Sequence, residues 1–199
     1  MPTGIALQEP REQLLEAAER VLTRDGPAAL TSRAVTDELG VAKGVLHRHF
    51  ADFDTFLAEL VRARIASQAA FALDLEASAG RASVVANLGV ALTIVFDPVN
   101  LGLVSLLMSR PRLLALLRDT TPAGLPLMTE AASLVRGYLA AEQVIGRIRP
   151  DADLGTVAFT LIGTGHLLFA GELGGLPDAG AVEEIVASII VGAEPGPPG

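Results

Sequence analysis

The chain has 199 residues, no cysteine and a formal net charge of −8 at pH 7. That length accommodates one large domain or two smaller ones around a real core, and the missing cysteines exclude disulfides and thiolate metal sites. Half of the residues are hydrophobic, only 4% are aromatic and 19% are charged, a profile rich in Ala, Leu and Val that suits an all-α protein.

The start, "MPTGIALQEPREQ", lacks a basic segment followed by an apolar run, so no secretory signal is expected and the cytoplasm is the default location. Pro10 suits the first turn of a helix, Gly26-Pro27 end it, and Leu14, Leu15, Ala18, Val21 and Leu22 recur at helical spacing. Thr31 can cap a short second helix over about 32–39, closed by Gly40. A third helix follows over about 42–49. A fourth begins near Asp52 and Asp54, whose charges suit a helix N-terminus, and runs through "FLAELVRARIASQAAFALDLEA".

Further helices are expected at about 81–96, 99–108, 110–119, 123–145, 151–172 and 179–192, with Pro98, Pro111, Pro122, Pro150 and Pro177 as punctuation. The tail "EPGPPG" is too rich in Pro and Gly for helix, and disorder is expected over 195–199. No alternating strand pattern persists and no internal repeat is found. Residues 84–96 are too short to cross a bilayer, and 154–171 carry Thr, His and four glycines, so both are expected to be buried helices rather than membrane spans.

Charge is distributed unevenly. Residues 1–60 hold six Lys/Arg against ten Asp/Glu, yet residues 31–50 hold three against two and add His47 and His49. Basic character is therefore local to one short helix, which is weak evidence for nucleic-acid binding by charge alone. The pattern around it is more specific. "RAVTDELG" supplies a short helix and its stop, and Val35, Leu39, Val41, Leu46 and Phe50 form an apolar seam for a helix–turn–helix. Gly44 permits close backbone approach, and Lys43, Val45, His47 and Arg48 are left to face outward. A helix so exposed fits the major groove, where Lys43 and Arg48 could reach guanine or phosphate and Val45 a thymine methyl. Ser32 could hold a phosphate oxygen.

The segment "LTSRAVTDELGVAKGVLHRHF", with "LLEAAERVLTRDGPAAL" before it and "FADFDTFLAEL" after it, resembles the DNA-binding region of the TetR family of bacterial transcriptional regulators over roughly residues 10–60. The resemblance implies that Ser32 contacts phosphate and that Arg33 can reach a base. It also implies that Lys43, Gly44, Val45 and His47 are variable recognition positions and that His49 contacts phosphate. Three residues depart from the family pattern. His47 stands where tyrosine is usual, Ala42 where Ser or Thr caps the recognition helix, and Phe53 where a lysine usually contacts phosphate. Weaker non-specific affinity and a shallower salt dependence are the expectation.

Catalysis is not expected. No G-x-S-x-G elbow occurs, Glu183 and Glu184 point to different sides of a helix, and "GTGH" is not preceded by a strand. His47 and His49 diverge by about 200° on a helix and cannot share a metal ion, so neither metal nor cofactor is expected. His166, alone in an apolar helix, is either a hydrogen-bonded core histidine or a ligand sensor.

The resemblance implies that the rest of the chain binds an effector and dimerises. The two C-terminal helices are apolar around most of their circumference and need cover on more than one side. A two-fold partner would supply it, at a face containing Ala158, Phe159, Ile162, Gly163, Ile185 and Ile189; an intramolecular core is the alternative. Asn87, Thr93, Phe96, Met108, Arg110, Tyr138 and His166 are sparse polar or bulky groups in aliphatic surroundings, and they are the candidate lining for a small apolar or amphipathic effector.

The sequence thus leads to an all-α homodimer: a helix–turn–helix domain at 1–55, a helical regulatory and dimerisation domain at 56–194, and a tail. Its expected partners are a double-stranded DNA operator and a small effector, with no membrane. Its expected role is a repressor released by that effector. The alternative is a ligand-binding or interaction dimer with weak or lost DNA binding.

Overall fold

The computed structural model describes residues 9–171 and 177–194; the tail expected to be disordered at 195–199 lies outside the described residues. These residues form ten α-helices and a 3-10 turn at Pro27–Ala29, with no strand among them. The helices are α1 (Pro10–Asp25), α2 (Ser32–Glu38), α3 (Gly44–His49), α4 (Phe53–Ala77), α5 (Val84–Val95), α6 (Pro98–Ser109), α7 (Pro111–Ala115), α8 (Met128–Val144), α9 (Leu154–Phe169) and α10 (Ala179–Ile190). No single helix among them is long and apolar enough to cross a membrane. The chain divides into two compact units, Met1–Arg64 with Pro98–Pro126, and Ile65–Asp97 with Leu127–Gly199.

In the first unit, α1 buries Leu14, Ala17, Ala18, Val21 and Leu22, one stripe at helical spacing, and ends where the Gly26 N–H bonds to the Leu22 carbonyl. α2, α3 and α6 all pack against α1, α6 meeting the stripe at Leu22. The α6 approach depends on Gly102, where an added methyl would lie 3.0 Å from Leu22 Cδ2. Ion pairs fix the rest of the unit: Arg110 to Asp54 at 2.7 Å, Arg112 to Asp52, and Arg62 to Asp119 at 3.2 Å with a further bond to the Leu116 carbonyl at 2.6 Å.

In the second unit α8 packs on α9, α10 on α5 and α9, and α5 on α8. Leu88, Leu92, Leu134, Tyr138, Leu139, Leu161, Val186 and Ile190 form the core. Close packing explains one glycine. A methyl on Gly165 would lie 2.5 Å from Phe96 Cε2, whereas one on Gly163 would meet nothing within 4 Å. Gly165→Ala is therefore expected to lower stability by up to about 2 kcal/mol, because overpacking costs about 1–3 and helix propensity returns only about 1. Gly163→Ala should raise it by up to about 1 kcal/mol. Urea unfolding of the two variants checks this; equal effects would show that the Phe96 ring simply yields.

Several helix boundaries differ from expectation, each for a local reason. The helix expected over 42–49 begins at Gly44, and its N-cap residue is Lys43, whose side chain makes no cap hydrogen bond. α5 begins at Val84 because Ser83 accepts from the Ala86 N–H at 3.0 Å. The helix expected from 123 begins at Met128, since Gly124 and Leu127 both have positive φ and Pro126 disfavours helix before it. The helix expected over 110–119 stops at Ala115 and continues as turns.

Candidate functional site

The geometry of residues 31–50 starts from its caps. Thr31 Oγ1 accepts from the Ala34 N–H at 3.1 Å and opens α2, and Gly40, at φ 66°, turns the chain towards α3. Leu46 and Val35 are fully buried and Phe50 nearly so, while Leu39 and Val41 are half-buried. This seam seats α3 against α1 and α2. With Leu46 inward, Lys43, Gly44, His47 and Arg48 are exposed and His49 is half-buried. Val45, expected to face outward, is half-buried as well. Among the described residues Lys43, His47 and Arg48 make no ion pair, so three donors, one at the N-cap of α3 and two within it, stand open to a polyanion.

Two positions near this face are less free than the sequence suggests. Arg33 pairs with Asp37, one helical turn on, at 3.3 Å, with both side chains largely exposed. An anion approaching α2 must therefore compete with a carboxylate for Arg33, in a pair that is worth little by itself. Phe53 stacks on Phe56 with ring centroids 5.7 Å apart, and the Arg110 guanidinium lies 5.7 Å from the Phe53 ring centre. The side chain at the start of α4 is thus an aromatic within a packed cluster. Ser32 Oγ is covered and has no hydrogen-bond partner.

Sequence reasoning missed two supports of the face. Arg11 donates to the His49 carbonyl at 2.9 Å and lies 4.4 Å from the centre of the Phe50 ring, tying the end of α3 to α1. No local pattern links residues 38 positions apart. Glu38 is gripped by Arg20 at 3.0 Å and Arg24 at 2.8 Å; the four-residue spacing of these arginines on one helix was the available signal. The hydrogen bonds from Arg24 and Arg20 hold the Glu38 carboxyl below its ordinary value of 4.5. A depressed folded pKa means that the contribution is present above about pH 4.5 and lost as pH falls through the lower folded value. Glu38→Gln should therefore flatten the stability–pH curve below about pH 4.5, which thermal melts at stepped pH would show.

The residues expected to line an effector pocket fall into separate places. Asn87 donates to Tyr138 Oη at 2.9 Å, and Tyr138 donates to Glu142 Oε1 at 2.5 Å. Glu142 is completely buried, accepts from the Gly80 N–H at 3.3 Å and lies 3.4 Å from Arg147 Nη1. Asn87 and Tyr138 are therefore parts of an internal hydrogen-bonded network rather than a vacant site. Phe96 stacks on Phe169 and meets His166 edge-on at 6.1 Å, which gives His166 a packing role. Thr93 borders a small cleft between α5 and α10, of about 200 Å³. Met108 is exposed and Arg110 is paired with Asp54, both within the first unit.

The positions expected at a dimer face also divide. Ala158 and Ile162 are buried within the chain's own core, a correction that follows from α9 turning that side towards α8. Phe159 is 77% exposed and Gly163 is open, while Ile185 and Ile189 are half-buried.

Comparison with known proteins agrees with this picture. Residues 14–60 match the family described as bacterial regulatory proteins, tetR family. Among curated proteins none gives a significant match. Among solved structures, a TetR transcription regulator from Haloarcula marismortui superposes with a TM-score of 0.70 at 14% identity, covering 95% of this chain and 100% of that one. A TetR-family transcriptional regulator from Rhodococcus sp. gives 0.67 at 17% identity, covering 95% and 100%. The multidrug binding protein EbrR, complexed with imidazole, gives 0.58 at 20% identity, covering 96% and 98%. Residues 14–60 thus match the helix–turn–helix region of the tetR family of bacterial regulatory proteins, and the chain shares its fold with these solved structures over nearly its whole length.

Proposed function

We propose that the chain is a dimeric, sequence-specific DNA-binding regulator that represses its target and is released by a small effector. The observation that carries this reading is the exposed trio of Lys43, at the N-cap of α3, and His47 and Arg48 within it, held in place by buried Leu46 and Phe50. An α-helix presented in this way enters the major groove, its N-terminal residues meeting base edges. A pseudo-palindromic operator needs two such helices about one DNA turn apart, hence a two-fold dimer. Exposed Phe159, Leu167 and Val191, with open Gly163, offer apolar cover for a partner copy. A role on the chromosome would place the protein in the cytoplasm. The effector part of the reading draws on the structural likeness to EbrR, a multidrug binding protein. Such an effector would act by binding the non-operator form more tightly, and only in proportion to that difference.

Selection of bound duplexes from a random-sequence pool tests the proposal. Enrichment of a two-fold motif with two half-sites one helical turn apart supports it. Recovery of no motif at low salt would overturn it and favour a second reading, a ligand-binding or interaction dimer with weak or lost DNA binding. Packed Phe53, in place of a free cation at the start of α4, is what favours that second reading. The same residue yields a prediction: Phe53→Lys should steepen the dependence of log K on log salt by about 0.9 per protomer if the new cation meets a phosphate. Affinity titrations at four salt concentrations decide it. Sedimentation of the intact chain tests the dimer; a monomer at micromolar concentration would remove the geometric basis for operator recognition.

A further inference from the structure

Gln68, on the part of α4 in the second unit, is only 5% exposed, and neither its amide nitrogen nor its amide oxygen has a hydrogen-bond partner. Buried amides are ordinarily paired, because an unpaired one has given up water for nothing. Elsewhere in this unit Asn87, Tyr138 and Glu142 Oε1 are bonded to one another, and Glu142 Oε2, which accepts no hydrogen bond, still has the Arg147 guanidinium 3.4 Å away. Gln68 has no such partner, and it borders a cleft of about 310 Å³ between α4 and α8. That volume lies at the lower end of the range for small-molecule sites, roughly 300–1,000 Å³. Ile65, Ala69 and Ala72 share its α4 wall, on the helix face that carries Gln68, and Leu134 belongs to its α8 wall. The cleft thus sets one unpaired donor and one unpaired acceptor beside the apolar Ile65, Ala69, Ala72 and Leu134, with Thr129, Ser133, Glu76 and Glu130 completing its lining.

Charge narrows the occupant. Glu76 and Glu130 border the same cleft, and Glu130 is held in place by accepting from the Leu127 N–H at 2.7 Å. Two carboxylates disfavour an anion. An ammonium group, for its part, has no acceptor for the Gln68 N–H. A group that answers both atoms of a carboxamide at once is another amide edge, an N–H beside a C=O.

From this we infer that the cleft is the effector site and takes a neutral small molecule bearing a carboxamide or lactam edge, which pairs with the Gln68 amide while its apolar remainder covers Ala69, Ala72 and Leu134. The inference deepens the effector reading above and rests on it. The pairing closes a ring of two hydrogen bonds and satisfies the buried amide, so selectivity for the amide edge over an apolar isostere is built into the site. Gln68 is the specificity-determining residue.

Benzamide and caprolactam serve as probes, with ethylbenzene and benzoate as controls, read by the side-chain amide NMR signals of Gln68 in the intact protein. The two amides are expected to shift those signals saturably and the controls to leave them in place. Gln68→Met keeps the length and removes the unpaired group. It should raise the melting temperature of the unliganded protein by about 2–4 °C and weaken benzamide binding by at least about tenfold. Equal responses to benzamide and ethylbenzene, no response to either amide, or a Met variant that melts lower yet binds benzamide unchanged would each overturn the site. Operator affinity is followed in parallel. Amide probes that bind through Gln68 without loosening DNA leave the site standing and remove its effector role. Release of DNA by other compounds, undiminished in Gln68→Met, leaves the regulator reading standing and removes the site.

Discussion

Replacing Lys43 and Arg48 together by alanine is expected to weaken binding to the selected operator by on the order of a hundredfold in each half-site. Each cation that reaches a base or a phosphate contributes about 1–3 kcal/mol, and 1.4 kcal/mol is a factor of ten. Both side chains are exposed and make no ion pair among the described residues. Stability should therefore move by no more than about 0.5 kcal/mol, and circular dichroism melts would separate a contact effect from unfolding. The single variants discriminate further. One that relaxes base preference at a single operator position reads sequence, whereas one that weakens all duplexes alike and lowers the salt slope meets phosphate. Fluorescence anisotropy on the operator and on a scrambled duplex gives both numbers. Unchanged affinity in the double variant would mean that α3 does not face DNA.

The largest effect on stability is expected at Glu142. Its carboxylate is completely buried and joins Tyr138, the Gly80 N–H and Arg147. Glu142→Ala opens a cavity and leaves three donors facing it, for a loss of about 3–5 kcal/mol. Tyr138→Phe removes one hydroxyl and leaves Glu142 its other partners, so about 1–2 kcal/mol is expected. A double-mutant cycle by urea unfolding measures the coupling, and additivity would show that the network does not act as a unit. The network also sets an alkaline limit. Burial first, then the bond to Glu142, pushes the Tyr138 hydroxyl well above its ordinary value of 10. A raised folded pKa means that this contribution is complete below pH 10 and is lost as pH rises towards the folded value, because the unfolded chain releases its proton first. Tyr138→Phe should abolish that part of the alkaline loss in melts above pH 10.

What the sequence determined by itself was local. Thr31 as a cap, Gly40 as a stop, and the stripe Leu14, Ala18, Val21, Leu22 with Leu46 and Phe50 specify three helices and which side of the third is buried. Each signal acts over four or five residues, the range of a helical turn, and so can be read from one chain. Helix ends that depended on a single backbone angle, such as Leu127 at φ 71°, were out of reach. So were the groups whose meaning lies in a distant partner. Arg110, read as a candidate ligand contact, is paired with Asp54, 56 residues away. Tyr138 and Asn87, read the same way, close a network on Glu142. Ala158 and Ile162, read as interface, were taken up by the core. Gln68 gave no sign in sequence, because a glutamine on a helix is ordinarily solvated, and only the packing of α8 beside α4 leaves its amide covered and unpaired. Periodicity shows that a residue is on an apolar face; whether its polar atoms find partners there is decided by what the tertiary structure brings opposite.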